Sequence, residues 1–329
     1  MINPYIPQVD KFENSYEFSY LATKFNKDGR YCDIPEDTEE YITFWKDVKD
    51  KCLNGFTNSK GIKICGPHFF YLNFCLILAE SGDGKRKRKM FSFPRFVDLD
   101  YDYFWMVEYC KLNEKFLIAV KGRRQGWSYK GACEITHEYT FSRDSRGIIG
   151  AFLSTYSEGT MKMVKEYLNH ISTYTPFGHI RNPDLTDYFM SQHQMDLGGV
   201  KVWKGFKSSV ETITFKDKPA AAVGKSASIL LLDEAGVFPN ILQSWGFTLP
   251  LLKDGSSYTG VAIVYGSSGE MEGGAKYFYE IFFTIFSRHF HHRRSPWSGI
   301  RYSSWRLHFL HAHCHTYRPY PYFFGYYGR

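Results

Sequence analysis

An apolar β-rich run, a short glycine-bearing loop and a helix-patterned segment follow one another without a break in KFLIAVKGRRQGWSYKGACEITHEYTFS, residues 115–142. That succession leaves few folds open. A strand that feeds a helix through a tight loop returns beside its sheet by a crossover. The next apolar run, RGIIGAFLS, again leads into a helical pattern, EGTMKMVKEYLNHIS, and further strands read in SILLLDEA and GVAIVYGSSG. Strands alternating with helices predict an α/β chain with a mainly parallel sheet covered by helices on both faces. No internal repeat with a period of 20–50 residues is evident.

Upstream, EDTEEYITFWKDVKDKCLNG reads as a helix closed by Gly55. The stretch from Ile62 to Phe96 reads as two β-rich runs around SGDG, a hairpin. The KRKRK at 85–89 fits a solvated strand edge, because basic side chains blunt exposed edges, better than a nucleic-acid patch. The expected organisation is an N-terminal α+β elaboration of helices and a hairpin over 1–90, a central domain over 91–280, and an irregular tail over 281–329. Between the two helix-bearing strands and SILLLDEA, the stretch 174–195 reads as less regular, and GGVKVWKGF and VETITFKDK as β-like.

Charge excludes less than it first suggests. The chain of 329 residues carries a formal net charge of +7. The last 49 residues hold seven arginines, no lysine and no acid. Without them 34 basic residues face 34 acidic ones, so residues 1–280 are formally neutral and global charge indicates no DNA-binding face. No run of about 18 apolar residues predicts a membrane span, and the N-terminal MINPYIPQVDKFENSYEF lacks the pattern of a signal peptide. Seven scattered cysteines, never in a C-x-x-C pair, suit a reducing cytoplasm better than a disulfide framework or zinc site.

A phosphate-binding loop needs small residues that let backbone N–H groups reach an anion, a helix N-terminus behind them and a hydroxyl for magnesium. On the G-x-x-x-x-G-K-[ST] template, Lys121 stands at the first glycine position and Gly126 at the second. Trp127 replaces the lysine, Ser128 supplies the hydroxyl, and Gly122 and Gln125 complete the loop. A literal G-K-S at Gly224, Lys225 and Ser226 is a decoy, since an apolar strand and not a helix follows it. That strand, Ile229 to Leu232, runs directly into Asp233 and Glu234. Acids at the carboxyl end of a buried parallel strand stand where open α/β sheets bind ligands. There Asp233 is expected to hold magnesium together with Ser128, and Glu234 to orient and deprotonate a water.

KGRRQGWSYK, ILLLDEAG and IVYGSSG, in this order and spacing, resemble the ATPase motor of tailed-phage terminase large subunits over about residues 65–280. The resemblance implies a P-loop NTPase fold, ATP with Mg2+, and hydrolysis tied to DNA translocation. The family's R-x-x-G-K-[ST] loop matches Arg123, Gly126, Trp127 and Ser128 apart from the tryptophan. Some members place the lysine at the first loop position, which implies that Lys121 supplies the missing charge in preference to Lys130. An arginine in or beside the loop acting on the γ-phosphate would be Arg123 or its neighbour Arg124. Ser267 and Ser268 match the hydroxyl motif that couples hydrolysis to DNA movement. FSFPRFVD resembles an adenine-contacting segment, naming Phe93, Arg95 and Phe96.

The same resemblance implies double-stranded phage DNA, a portal ring and a small terminase subunit as partners, with assembly into a homo-oligomer. It implies action in the host cytoplasm, transiently at the procapsid portal, and no membrane. The family continues into a nuclease domain with clustered aspartates, whereas 281–329 holds seven of the twelve histidines, fifteen aromatics and no acid. An out-of-frame, split or disordered extension is expected there, and HAHCH (His311, His313, His315) is not expected to be a metal site. A helicase-like translocase and a nucleotide-binding assembly protein with little turnover are the alternative functions.

Overall fold

Local signals set the N-terminal elements. The structure, a computed structural model, describes residues 12–81, 88–267 and 275–282, and the backbone of 323–327. Elements are numbered in chain order. The described chain divides into two units: residues 1–108, 128–145 and 160–210 form one, and 109–127, 146–159 and 211–329 the other. Each unit is therefore assembled from three separate stretches of sequence.

In the first unit, α1 spans Tyr20–Asp28 and the expected helix forms as α2, Glu39–Asn54. Thr38 caps α2 by accepting from the Tyr41 N–H at 3.2 Å, and two acids in the first turn favour the helix dipole. Strands β1 (Phe56–Thr57) and β2 (Lys63–Ile64) form a minimal antiparallel pair. The hairpin expected over 62–96 is confined to β3 (Ile77–Ser81) and β4 (Arg88–Ser92), which pair antiparallel. The apolar run before it is a helix, α3 (Gly66–Phe74), with Pro67 in its first turn and every residue buried. A run buried all round has no period to separate helix from strand. Asn73 fixes this helix: its amide accepts from the Leu21 and Ala22 N–H groups and donates to the Phe18 and Phe69 carbonyls. Arg88 and Lys89 lie exposed on β4, as a solvated edge requires; the SGDG turn from 82 and the basic residues to 87 lie outside the described residues.

This unit also holds most of α4 (Asp98–Leu112), α5 (Trp127–Phe141) and α6 (Ser154–Tyr174). The stretch expected to be less regular contains β7 (Arg181–Asp184) paired antiparallel with β8 (Tyr188–Ser191). A ribbon of β9 (His193–Leu197) and β10 (Val200–Lys204) follows.

The second unit carries the parallel sheet. Its strands are β5 (Phe116–Lys121), β6 (Arg146–Ala151), β12 (Ile229–Asp233) and β15 (Val261–Ser267), in the spatial order β5-β15-β12-β6 with every pairing parallel. β11 (Ser209–Thr214), through which the division into units runs, lies next to β6. All residues of β5, β12 and β15 are buried, which is why they read as unbroken apolar runs. With α5 leaving directly from the loop after β5, this is the mainly parallel, helix-flanked α/β sheet that the alternation of strands and helices predicts.

Alternation divides the sheet's two faces. Phe116, Ile118, Val120, Leu230, Leu232, Ala262 and Val264 join one core with Ile241 and Trp245 of α7 (Ile241–Thr248) and with Phe278, Ile281 and Phe282 of the helical residues 275–282. Lys121, Asp233, Tyr265 and Ser267 occupy the alternate positions and so share the opposite face. A short antiparallel pair, β13 (Lys253–Asp254) and β14 (Ser257–Tyr258), lies between α7 and β15 in the chain.

One expectation is corrected at the edge. Within the tail predicted to be irregular, Phe323–Tyr327 forms β16, which pairs antiparallel with β5 from Phe323↔Val120 to Tyr327↔Phe116. A run of aromatics has high β-propensity, and a strand with an open edge is a template for it. Residues 283–322, including HAHCH, lie outside the described residues.

Candidate nucleotide site

The loop after β5 turns through two left-handed residues, Arg124 (φ 63°) and Gly126 (φ 70°), before α5 begins at Trp127. Gly126 meets this demand at no steric cost, whereas Arg124 adopts it against the preference of a side-chain-bearing residue. Left-handed residues alternating with right-handed ones are the kind of turn in which successive N–H groups can form an anion-binding concavity. Gly122 and Gln125 are half-buried, while Arg123 and Arg124 are exposed, so both guanidinium groups are available to a ligand.

Lys121 ends β5 and opens this loop. Its ammonium lies 2.6 Å from Glu234 Oε1, with the lysine side chain 6% and the glutamate side chain 25% exposed. Glu234 follows β12 directly and is itself left-handed (φ 51°, ψ 44°). A non-glycine residue held there costs about 1–3 kcal/mol, and such strain is retained where a side chain must be aimed. Ser267, across from Lys121 in the pairing of β15 with β5, donates from Oγ to Glu234 Oε2 at 3.4 Å. Three segments singled out in the sequence thus meet: the loop lysine, the acid after the buried strand and the hydroxyl motif. Asp233, one residue earlier, is buried at the end of β12. Ser268 lies outside the described residues.

The tryptophan in the lysine position is buried. Trp127 is 2% exposed and its ring lies 5.5 Å from that of Tyr265, at 51°. Lys121 Nζ is 5.6 Å from the centre of the same ring. Tyr265 stands within IVYGSSG but has no assigned role there, since an aromatic within an apolar strand reads as core and only the strand register places it here.

Lys130 is committed elsewhere. It is fully buried in the first unit, with Nζ 2.8 Å from Asp100 Oδ1. Burial raises the Asp100 carboxyl above the usual range against the pull of that lysine. The decoy behaves as a turn: Lys225 pairs with Glu211, Ser226 accepts from Arg146, and β12 follows. Ser128 is half-buried in the first turn of α5, in the first unit. The three adenine candidates also belong to the first unit. Phe93 packs edge-on against Phe25 and His170, Phe96 stacks on His68 at 5.4 Å, and Arg95 is exposed.

Among the described residues no group of three or more His, Cys, Asp or Glu side chains gathers as a metal site, and no helix is long and apolar enough to cross a membrane. The six described cysteines form no disulfide with one another. No protein-family model matches the sequence, and no curated protein does. Among solved structures, the ATPase domain of the Thermus phage P74-26 large terminase is similar, at 20% identity and a TM-score of 0.37, over 49% of this chain and 61% of that domain. The bacteriophage HK97 large terminase is similar at 13% identity and a TM-score of 0.41, over 61% of this chain and 36% of that one. The large terminase of a thermophilic bacteriophage, in complex with ADP, is similar at 9% identity and a TM-score of 0.29, over 45% of this chain and 32% of that one. The chain thus spans about three fifths of the P74-26 domain and about a third of the two large terminases.

Proposed function

We propose that this chain is an ATP-hydrolysing motor subunit of a phage DNA-packaging terminase. The observation that carries the reading is the meeting of Lys121, Glu234 and Ser267 beside a loop built for an anion. The residues fit ATP and magnesium: a cation, a left-handed loop turn and a buried carboxylate, Asp233, stand at the carboxyl ends of parallel strands. Asp233 would hold the metal, which when bound neutralises charge on the phosphate oxygens.

The chain's own residues do the rest. Lys121 is shared between two anions, the Glu234 carboxylate and the incoming phosphates. While it bonds Glu234, that carboxylate oxygen is occupied and not open to a water. Phosphates that draw Lys121 toward the loop release one carboxylate oxygen for a water, while Ser267 keeps hold of the other. Arg123 or Arg124, exposed on the loop, is placed to meet charge developing at the terminal phosphate. Double-stranded DNA, a portal ring and a small subunit are the partners this function requires, with work in the host cytoplasm and at the procapsid portal.

The test begins with MgATP binding and hydrolysis, with and without DNA. Glu234→Gln is expected to keep binding and lose at least about a hundredfold in turnover. Normal turnover by that variant would overturn the assignment of the base. Portal-dependent packaging then separates a packaging motor from a helicase-like translocase. A second reading, a nucleotide-binding protein with little turnover, is favoured by the Lys121–Glu234 pair, which engages both the cation and the base; binding without hydrolysis would select it.

A further inference from the structure

We infer that Tyr265 is a positioning residue for Lys121, forming with Trp127 an aromatic shelf that lets a lysine at the start of the loop serve in place of one at its end. The inference rests on the nucleotide reading above and gives a role to a residue to which the sequence motifs assign none.

A lysine at position 127 would rise from the first turn of a helix toward the bound phosphates. A lysine at 121 starts instead from the end of a strand, on a flexible four-carbon stem with many rotamers. Something must hold it. β15 lies directly beside β5, and its register sets Tyr265 opposite Ala119, with Ser267 opposite Lys121. Alanine opposite a tyrosine leaves room for the ring to lean along the sheet to the next residue on the same face, within the reach of an aromatic side chain. That next residue is Lys121, whose ammonium lies 5.6 Å from the ring centre. A desolvated cation at this range is attracted to the face of the ring.

The second half of the shelf is the substituted position itself. Trp127 places its ring 5.5 Å from Tyr265, and both side chains are buried, so the tyrosine is held from the loop side as well. The loop therefore did not simply lose a lysine. The bulk at 127 braces the ring against which the displaced lysine rests, and the two positions work as one unit.

The test is titration of the full chain with a fluorescent ATP analogue and Mg2+, using Tyr265→Phe, Tyr265→Met and Tyr265→Met combined with Trp127→Lys. Tyr265→Phe keeps the ring and should bind within about two-fold of the unmodified protein. Tyr265→Met should weaken binding by about three- to thirty-fold. Adding Trp127→Lys should restore it, because a lysine on the helix needs no shelf; a purely structural role for Tyr265 would not be rescued this way. Unchanged affinity in Tyr265→Met, or no recovery in the double variant, overturns the inference. If Tyr265→Met does not fold, phenylalanine and trifluorophenylalanine at 265 give the same decision, since fluorination drains the ring face without changing its shape. Affinity should fall on fluorination, and equal affinities overturn the inference. Failure of the unmodified protein to bind would remove the nucleotide reading and this inference together; equal binding by all variants removes only the role of Tyr265.

Discussion

Lys121 and Glu234 should be coupled energetically in the nucleotide-free protein and uncoupled when nucleotide is bound. The perturbation is a double-mutant cycle with Lys121→Met, Glu234→Gln and the pair. The contact is 2.6 Å long, and the lysine end is almost wholly buried while the glutamate end is a quarter exposed. A hydrogen bond to a charged group contributes about 1.5–3 kcal/mol net. Solvent at the glutamate end moves the expected coupling to about 2 kcal/mol, far above the exposed-pair range of about 0–1 kcal/mol. Each single variant leaves the other charge without its partner, so each should cost nearly as much as both together. Urea unfolding of the four proteins measures the cycle. At a slope of about 3 kcal/mol/M, a 2 kcal/mol loss moves a midpoint by about 0.7 M. Repeating the cycle with saturating MgATP should bring the coupling toward zero, because Lys121 then serves the phosphates. Additivity within about 0.5 kcal/mol without nucleotide would refute the pair as a real constraint. A coupling that survives nucleotide unchanged would refute the sharing of Lys121.

Lys121→Ala should abolish ATP turnover, whereas Lys225→Ala in the decoy should leave it within about a few-fold; steady-state hydrolysis by both variants decides, and a severe loss of ATP binding in well-folded Lys225→Ala would move the phosphate site to the other loop. Stability should fall as pH drops from about 6.5 toward 4, because burial depresses His170 to about 4 and His68 to about 3, so both stay neutral in the fold while the unfolded chain takes up protons. The loss is up to about 1.4 kcal/mol per pH unit for each histidine, complete stabilisation is present above about pH 6.5, and His170→Phe should flatten the slope measured by denaturant unfolding. Gly266→Ala should cost about 3 kcal/mol or more, since a Cβ there would stand 2.3 Å from the Gly236 nitrogen; a thermal melt like that of the unmodified protein would show that the two segments can part.

What could be read from the sequence was what depends on neighbours in the chain. The Gly55 end of α2, the buried strand running into Asp233 and Glu234, and a strand rather than a helix after Gly224-Lys225-Ser226 all rest on local order, and each is found. The failures share a different cause. A buried helix over Gly66–Phe74 has lost its amphipathic period, so it read as strand. The strand Phe323–Tyr327 takes its place from an open edge more than 200 residues earlier, which no local pattern encodes. In the site, the segments were legible but their joining was not. That Lys121 meets Glu234, and that Tyr265 carries Lys121 and Trp127 on one ring, follow from β15 lying between β5 and β12.

Between the acid and the hydroxyl motif there is no cushion. A Cβ on Gly236 would stand 2.1 Å from the Ser267 carbonyl oxygen, so the chain after Glu234 and the end of β15 touch backbone to backbone. Side chains between two segments absorb a displacement by changing rotamer; peptide planes in contact have no such slack. A tilt of the Glu234 peptide of a few tenths of an ångström must therefore reappear at Ser267, like the turn of a gear without backlash. Under the function proposed above, that stiffness would pass a change at the acid directly to the end of β15. In this protein the absence of two side chains supplies it.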